Sequence, residues 1–375
     1  MKLVHVVTLV SDDGAYGGPT SVALAQLEEC AVRGHDVTLV SLWRGRTRAV
    51  DRIGAVRFVS RPARSLVPGR GLLGLMHPLL LRDLWREMGR ADAVHLHTGR
   101  DLVSLAALVV ARLRRTAFVT QTHGMVEPRT GVVARVFDRL YLPLLRRARC
   151  CLVLTDRERR ALTAVLGADR PPLVSLPNGL RLAGDGAGAR PRDEHRVIFL
   201  ARLHPRKRPE AFVEMAALVH KEIPEARFTL YGADEGSLPA VNRLVADRGL
   251  TDVVAYGGAL NHSAALEAYR RATVYVLPSV EEPFPMTVLE ALSEGTPVVC
   301  TDSSGIAAEL ARRDAALVTD GSPEALADAV CLLLADEELR HRLADAGRRA
   351  IDEVFSIRAV VDQLEGVYGG RPGRR

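Results

Sequence analysis

Short apolar segments rich in β-branched residues alternate with polar or glycine-containing turns and with longer runs of helical periodicity. Residues 93–97 and 117–122, for example, are too short for ordinary helices and are almost continuously apolar, which predicts strands buried in a parallel sheet. The run 22–33 has its apolar residues at the spacing of a helix face, and helices are also predicted over 137–148 and 337–354. Thr155-Asp-Arg-Glu158 resembles a helix N-cap with a capping box. Strand, turn and helix in regular succession are typical of an α/β fold.

The chain opens with a predicted strand, 2–10, a glycine-containing loop, 11–20, and the helix 22–33, the order that begins a Rossmann-like fold. The pair Gly17 and Gly18 would let the backbone approach a ligand closely. The loop lacks the Gly-x-Gly-x-x-Gly spacing, and no acidic residue is evident after a second strand, so a dinucleotide site is disfavoured. A simple turn is the alternative interpretation of the glycine pair.

Two predicted strands end in histidines at the place where α/β folds hold their ligands, the carboxyl end of the strand. His97 closes the strand 93–97, and we expect it to point to the opposite face from His95. His123 follows the strand 117–122 and precedes a glycine, which makes it the leading catalytic candidate of the N-terminal half. A hydrogen-bonded structural histidine is the alternative for His97 and His123.

Residues 61–90 mix arginines with leucines, methionines and Trp85. This composition suits a membrane surface or an acceptor molecule. Prolines and glycines interrupt the segment, so no long amphipathic helix is predicted there.

A basic turn follows the predicted strand 197–200 in the second half. It carries Arg202 and Lys207, and cationic side chains at a strand-to-helix turn suit a phosphate group. The alternative is a basic surface loop, and Arg206 and Arg208 are expected to be solvated.

The stretch 272–301 is predicted as strand, loop, helix, turn and strand. Three prolines and a serine keep residues 278–285 out of a helix interior, and the helix begins at Met286. Free N–H groups and the positive dipole end at the start of that helix suit a phosphate. Glu290, inside the helix, would accept two hydrogen bonds from a vicinal diol such as a ribose, and Glu282 would hold a sugar hydroxyl at the mouth of the loop. Solvated glutamates are the alternative.

The composition is that of a two-domain protein with a sizeable core. The chain has 375 residues, 47% of them hydrophobic, and it contains no long uncharged apolar run that would predict a transmembrane helix. The N-terminal apolar segment alternates like a strand and lacks a small-residue cleavage site, so it predicts the first strand rather than a signal peptide. The five cysteines have no Cys-x2-Cys spacing, which indicates reduced, buried thiols.

Charge is distributed unevenly along the chain. Residues 1–150 contain 23 lysines and arginines against 12 acidic residues, whereas the remaining residues contain 28 against 33. A basic half predicts an anionic partner: nucleic acid, an anionic membrane surface or an acidic acceptor. A GC-rich genome would also favour arginine. Nucleic acid is disfavoured because aromatic residues make up only 5% of the chain.

The residues Glu282, Phe284 and Glu290, followed by a Gly-Thr-Pro turn, resemble the donor-binding motif of retaining glycosyltransferases of the GT-B type, family 4. The family usually has glycine where this chain has Pro285. Because proline has no backbone N–H, one backbone contact to the donor sugar is altered here. The run Thr122-His123-Gly-Met resembles the histidine loop of the same family.

The resemblance implies roles for particular residues. His123 and Glu282 would contact the reacting sugar. The donor-binding residues would be Gly17, Gly18, Arg202, Lys207, Phe284, Pro285, Met286, Thr287 and Glu290. No Asp-x-Asp motif is evident, and the family reading implies that no metal and no cofactor is needed, because Arg202, Lys207 and helix N–H groups stabilise the leaving diphosphate.

The resemblance also implies a fold and an activity. The expected fold is α/β, with two Rossmann-like GT-B domains facing a central cleft. Residues 1–180 would bind the acceptor, 181–194 would form the linker, 195–355 would bind the nucleotide sugar, and the helix 356–368 would return to the first domain. The expected enzyme is a metal-independent retaining hexosyltransferase in polysaccharide or glycoconjugate biosynthesis.

The expected donor is a nucleoside-diphosphate sugar, UDP rather than GDP. The acceptor would be a saccharide, a lipid-linked saccharide or a small natural product. Localisation would be cytoplasmic, with contact to an anionic inner membrane face and no nucleic-acid partner. A GT-B hydrolase, epimerase or phosphorylase, and a non-enzymatic basic binding protein, are the alternatives.

Overall fold

The computed structural model describes residues 1–12, 17–46, 49–67, 69, 71–181 and 194–370. Its chain divides into two compact units. Unit 1 comprises Met1–Arg181 and Ile357–Arg375, and unit 2 comprises Leu182–Ser356. Most of the expected linker, the loop residues 13–16 and the C-terminal tail 371–375 lie outside the described residues.

Unit 1 is built on a twisted, mostly parallel sheet, because its strands are apolar on both faces and must be covered on both. Its strands are β1 (Lys2–Ser11), β2 (Asp36–Arg44), β3 (Arg52–Ile53), β4 (Val56–Pro62), β5 (Arg64–Ser65), β6 (Leu75–Met76), β7 (Ala93–His97), β8 (Phe118–Gln121), β9 (Cys151–Val153) and β10 (Leu173–Ser175). The main sheet has the order β10-β9-β8-β7-β1-β2-β4-β3, and β5 and β6 pair separately. Within the described part of the sheet, only β3 runs antiparallel to its neighbour.

Helices cover both faces of this sheet. They are α1 (Gly17–Val32), α2 (Pro78–Met88), α3 (Leu102–Arg114), α4 (Val132–Leu145) and α5 (Asp156–Leu166). Helices α2, α3 and α4 share one apolar core with one sheet face, whereas α1 packs into the core on the opposite face.

Unit 2 repeats the same plan on a smaller sheet. Its strands are β11 (Arg196–Leu200), β12 (Arg227–Tyr231), β13 (Val254–Tyr256), β14 (Val274–Leu277), β15 (Val298–Thr301) and β16 (Leu317–Thr319), all parallel and in the order β13-β12-β11-β14-β15-β16. Its helices are α6 (Pro209–Glu222), α7 (Leu238–Asp247), α8 (His262–Arg271), α9 (Met286–Ser293), α10 (Ala307–Arg312), α11 (Pro323–Ala335) and α12 (Glu337–Ala350).

The last helix, α13 (Ile357–Tyr368), belongs to unit 1. Its buried face, which includes Val360, Val361 and Leu364, lies in the same core as α1 and the apolar residues of β1 and β2. Hydrophobic burial on this scale stabilises the helix in place.

The α/β class with two Rossmann-like units is confirmed, and several element boundaries differ from the predictions. Helix α4 begins at Val132, not at Phe137, and α12 ends at Ala350, where a π-helical turn, Ile351–Phe355, replaces its expected last turn. The prediction for His95 and His97 is wrong: residues two apart in a strand share one face, and the two rings stack with their centroids 4.3 Å apart.

Candidate functional site

The loop between β14 and α9 carries Glu282 and is fixed from several sides. The Thr301 hydroxyl donates to the Ser279 carbonyl oxygen at 2.6 Å. The Val280 N–H donates to the Arg206 carbonyl oxygen at 3.1 Å, and the Gly305 N–H donates to the carbonyl oxygen of Glu282 at 2.8 Å. The backbone around Glu282 is therefore held without help from its side chain.

The carboxylate of Glu282 pairs with the ammonium group of Lys207. Lys207 ends a short 3₁₀ turn, Pro205–Lys207, that follows β11, so strand order in unit 2 brings β11 and β14 and their following loops together. Both side chains are largely buried. A buried ion pair needs additional hydrogen bonds to offset the cost of its desolvation. The phosphate and hydroxyl groups of a bound ligand would supply such hydrogen bonds.

Glycine is required where the β11 and β12 loops touch. Gly232 has a φ of +142°, and a Cβ at this position would lie 1.9 Å from the Ala201 carbonyl oxygen. Any other residue would push away the turn that carries Arg202 and Lys207.

The other basic residues of the turn differ in their surroundings. Arg202 is exposed and its guanidinium lies 2.7 Å from the carboxylate of Glu235, and its predicted contact with the diphosphate stays a prediction. Arg206 is exposed, as expected. The prediction that Arg208 is solvated is wrong, because its guanidinium is partly buried and donates to the Gly321 carbonyl oxygen at 2.8 Å.

Helix α9 begins immediately after this loop, at Met286. Its N-cap residue is Pro285, and no side chain caps the first turn. The first N–H groups of a helix lack intrahelical partners, so this end offers donors to an anion. The ring of Phe284 is buried and packs edge-on against Phe355 at 6.1 Å, which anchors the entry to the helix.

The Thr287 side chain is used inside the protein. The Thr287 hydroxyl oxygen lies 2.9 Å from the hydroxyl oxygen of Tyr275. The Tyr275 hydroxyl oxygen also lies 3.2 Å from the Leu200 carbonyl oxygen. Tyr275 has one proton for the carbonyl, so the Thr287 hydroxyl donates to Tyr275. What Thr287 can offer a ligand is therefore its backbone N–H.

Glu290 lies one turn further along α9 and is mostly buried. Burial raises the pKa of this carboxyl, and the nearby His262 imidazole, 3.9 Å away, opposes the shift. A largely buried carboxylate gains from hydroxyl donors, as a vicinal diol would provide.

In unit 1, His123 follows β8 in a left-handed conformation with a φ of +51°. The buried Glu158 holds the surrounding loop: its carboxylate accepts from the Thr122 hydroxyl at 2.5 Å and from the Gly124 N–H at 2.6 Å. Its second oxygen accepts from the Leu154 N–H at 2.6 Å. Thr155 caps α5 as predicted, but Glu158 clamps the histidine loop and does not close a capping box.

A chain of buried histidines extends inward from His123. Its Nε2 lies 2.8 Å from Nδ1 of His97, and Nε2 of His97 lies 3.1 Å from Nδ1 of His5. The Tyr368 hydroxyl of α13 lies 3.0 Å from Nε2 of His5 and 2.8 Å from Nδ1 of His95. Burial lowers the pKa of His5 to about 3 and of His123 to about 4, so all of these rings are neutral near pH 7.

The direction of these hydrogen bonds is set at the inner end. Nε2 of His95 is buried and has no hydrogen-bond partner among the described residues. If His95 donates from Nδ1 to Tyr368, the unpaired atom is an acceptor; in the reverse direction it is an orphaned N–H, which proteins rarely bury. We therefore favour the direction in which each group donates to the next, from His95 to Tyr368, His5, His97 and finally His123. Nε2 of His123 then accepts a hydrogen bond, and its proton is on Nδ1.

The same cluster also brings ligand nitrogens of His5, His95 and His97 within 4.8 Å of one another. The rings of His95 and His97 are nearly parallel, with an interplanar angle of 18°. Nitrogen lone pairs lie in the ring plane, so those of stacked rings do not converge on one ion. The arrangement favours a hydrogen-bonded chain over a metal site.

The glycine pair of unit 1 lies elsewhere than expected. Gly17 and Gly18 form the start of α1 and not its preceding loop, and a Cβ added at Gly18 would meet nothing within 4 Å. Residues 13–16, where the loop was expected, lie outside the described residues.

Sequence reasoning missed Tyr275, Glu158, His5 and Tyr368. The two tyrosines and His5 occupy positions that read as ordinary strand or helix core. Glu158 carried a sequence signal, its place three residues after Thr155, but that signal predicts a capping box and not a contact with the histidine loop.

Two family models match consecutive parts of the chain. Residues 17–179 match the glycosyl transferase 4-like domain, and residues 185–350 match the glycosyl transferases group 1. The matches fall on unit 1 and unit 2 respectively.

Individual relatives agree with these matches. The D-inositol 3-phosphate glycosyltransferase 2 of Catenulispora acidiphila is 32% identical over 53% of this chain and 50% of its own, and the alpha-D-kanosaminyltransferase of Streptomyces kanamyceticus is 28% identical over 76% and 79%. The chain spans about half or less of the length of several curated relatives it matches.

Solved structures show the fold. HepE of Anabaena, crystallised with UDP, superposes with a TM-score of 0.71 at 16% identity, covering 98% of this chain and 100% of that one. At 16% identity this similarity supports the GT-B architecture alone. Together with the two family models, these findings show that the chain belongs to the GT-B glycosyltransferases of family 4, as the motif around Glu282 and Glu290 predicts.

Proposed function

We propose that the protein transfers a glycosyl group from a nucleoside-diphosphate sugar, UDP rather than GDP, to a hydroxyl group, with retention at the anomeric carbon. The observation that carries this proposal is the buried Lys207–Glu282 pair, which lies directly before the uncapped N-terminus of α9. A cation and free helix N–H groups suit a diphosphate, and Glu282 suits the hydroxyls of the attached sugar.

Each side chain then has a task in the reaction. The acceptor oxygen forms a bond to the anomeric carbon, and the bond from that carbon to the diphosphate oxygen breaks. The bonding electrons go to the diphosphate, which also takes the acceptor proton. Lys207 and the α9 N–H groups stabilise the growing charge, and a preorganised donor of this kind contributes about 3–4 kcal/mol.

The remaining site residues bind and orient. Glu290 would hold the ribose diol, and Phe284 fixes the loop that carries Glu282. Met286 and Thr287 would offer backbone N–H groups, whereas Pro285 cannot. In unit 1, His123 is the histidine that we propose for substrate contact, and its Nδ1–H is the donor available to a substrate oxygen.

We propose that no metal or cofactor takes part, with Lys207 and the helix N-terminus carrying the neutralising charge. Activity should survive treatment with a chelator such as EDTA. Loss of activity that added Mg²⁺ or Mn²⁺ restores would contradict this.

The acceptor is proposed as a saccharide, a lipid-linked saccharide or a small natural product. One matched relative is named for inositol 3-phosphate and another for the kanosaminyl group that it transfers, so these names point to no single acceptor class. A location in the cytoplasm with contact to an anionic membrane face is part of the same proposal. The described residues contain no helix that is both long and apolar enough to cross a bilayer.

The test is product analysis by NMR with UDP- and GDP-sugars and a panel of hydroxyl acceptors. Transfer with the anomeric configuration of the donor kept supports the proposal, and an inverted product contradicts the retaining mechanism. Free sugar or an epimer formed from donor alone would indicate a hydrolase or epimerase. Salt-dependent binding of DNA without nucleotide-sugar affinity would indicate a non-enzymatic binder.

A further inference from the structure

Helix α4 of unit 1 exposes large aliphatic side chains to solvent. Val132, Val133, Val136 and Leu140 are each between 58% and 67% exposed. Scattered exposed aliphatics are ordinary, but four on one helix form a patch, and patches of this kind mark interaction sites.

The four residues lie on one side of the helix, because their spacing of one, four and eight residues spans a single face. The opposite side is fixed in the core of unit 1, where Tyr141 and Leu145 are fully buried. The helix is therefore anchored by one face and presents the other.

Arginines border the aliphatic face. Arg135 and Arg139 are exposed and lie beside the aliphatic residues on the helix, and Arg147 follows its C-terminal end. The helix contains a single carboxylate, Asp138, whose oxygen lies 2.8 Å from the guanidinium of the buried Arg100. The outward face thus combines apolar side chains with uncompensated positive charge.

The neighbouring helices extend the same character. Helices α2 and α3 pack on the same core as α4 and expose Trp85 and Leu113. The carboxylates of α2, Asp83 and Glu87, are buried and paired with arginines. Within the segment 61–90, exposed apolar residues lie both in α2 and in the residues that precede it.

We infer that the exposed face of α4 docks on an anionic lipid bilayer. An amphipathic helix with aliphatic residues and flanking arginines lies in the bilayer interface, where the side chains enter the acyl boundary and the cations meet lipid phosphates. Charge complementarity selects an anionic surface over a neutral one. This docking deepens the membrane contact of the proposed function and rests on the surface of unit 1, not on the transferase activity.

The test is co-sedimentation of the full chain with vesicles of equal parts phosphatidylglycerol and phosphatidylcholine, and with phosphatidylcholine alone. The wild type should bind the anionic vesicles, less tightly as salt is added. Two double variants should each weaken binding by at least about tenfold. Val136→Ser/Leu140→Ser removes apolar side chains from the interface. Arg135→Glu/Arg139→Glu removes two basic residues, each of which contributes roughly a factor of five near such a surface.

Matched controls are Leu332→Ser and Arg243→Glu, exposed residues of unit 2, which should bind like the wild type. Thermal unfolding and nucleotide binding show that each variant is folded, and they separate this test from that of the donor site.

Equal binding of all variants, or equal binding to both vesicle types, would overturn the inference. So would a dimer in solution that the Val136→Ser, Leu140→Ser pair dissociates without any vesicle binding, because a second copy of the chain would then cover the face.

Discussion

Glu282 and Lys207 neutralise each other's charge, which determines what a mutation of either residue will do. Removing one member of a buried ion pair leaves the other charge unpaired, which costs about 3–5 kcal/mol. A loss of activity in Lys207→Ala alone would therefore mix misfolding with lost binding. The double variant Lys207→Met, Glu282→Gln removes both charges and is the cleaner probe.

Glu290 is predicted to read the ribose of the donor. The protein should prefer its nucleoside diphosphate over the 2′-deoxy form by about tenfold or more, because a hydrogen bond to a charged group contributes roughly 1.5–3 kcal/mol. Glu290→Gln should remove most of this preference, as measured by titration calorimetry with both nucleotides. Glu324→Gln, an exposed glutamate on α11, is the control. An unchanged preference in Glu290→Gln would show that the diol lies elsewhere.

At the scale of elements, sequence pattern located most strands and helices because buried strands and amphipathic helices carry distinct periods. Helix α4 shows where this fails. Its first turn carries outward-facing valines, so the pattern placed its start at Phe137, although the helix begins at Val132. The error marks the same exposed face that we assign to the membrane.

Long-range partners lay beyond sequence reasoning. The contact of His5 with Tyr368 joins residues 363 positions apart, and nothing local to either predicts it. The motif around Glu282 and Glu290 could be found because its residues are close in sequence. The pairing of Arg202 with Glu235, 33 positions away, has no such local signal, and the predicted role of Arg202 at the diphosphate stays a prediction.

Helix α13 is predicted to stabilise the histidine chain through one hydroxyl. Tyr368→Phe leaves His5 and His95 without their shared partner and should lower the free energy of unfolding by about 1–3 kcal/mol. Urea unfolding measures this, with Tyr256→Phe, a more exposed hydrogen-bonded tyrosine, as the control that changes little. Wild-type stability in Tyr368→Phe would contradict the hydrogen-bond assignment.

For the whole molecule, the buried neutral histidines predict loss of stability in mild acid. Their pKa values in the folded state lie below the unfolded value of about 6.5, so the unfolded chain takes up more protons. The stabilisation is complete above pH 6.5 and declines as the pH falls towards the folded value of His5, about 3. Between pH 7 and pH 5 this amounts to roughly 2 kcal/mol for His5.

Urea unfolding of the wild type at the two pH values checks this. His5→Gln should show a smaller pH dependence, and His262→Gln, an exposed histidine, should match the wild type. Equal stability at pH 7 and pH 5 would mean that the folded protein takes up as many protons as the unfolded chain, and hence that burial does not lower the pKa values of these rings.

We propose that Lys207 and Glu282 of unit 2 form the site for the diphosphate and sugar of the donor. Titration calorimetry with UDP, GDP and their sugars tests this site in three proteins. They are the wild type, the double variant Lys207→Met/Glu282→Gln, and the single variant Arg206→Ala, which changes an exposed neighbour. We predict that the wild type binds either the uridine or the guanosine nucleotides, and that Arg206→Ala binds the same ones with equal affinity. The double variant should remain folded and bind them at least about tenfold more weakly. Unchanged affinity in the folded double variant would show that the donor does not bind at Lys207 and Glu282.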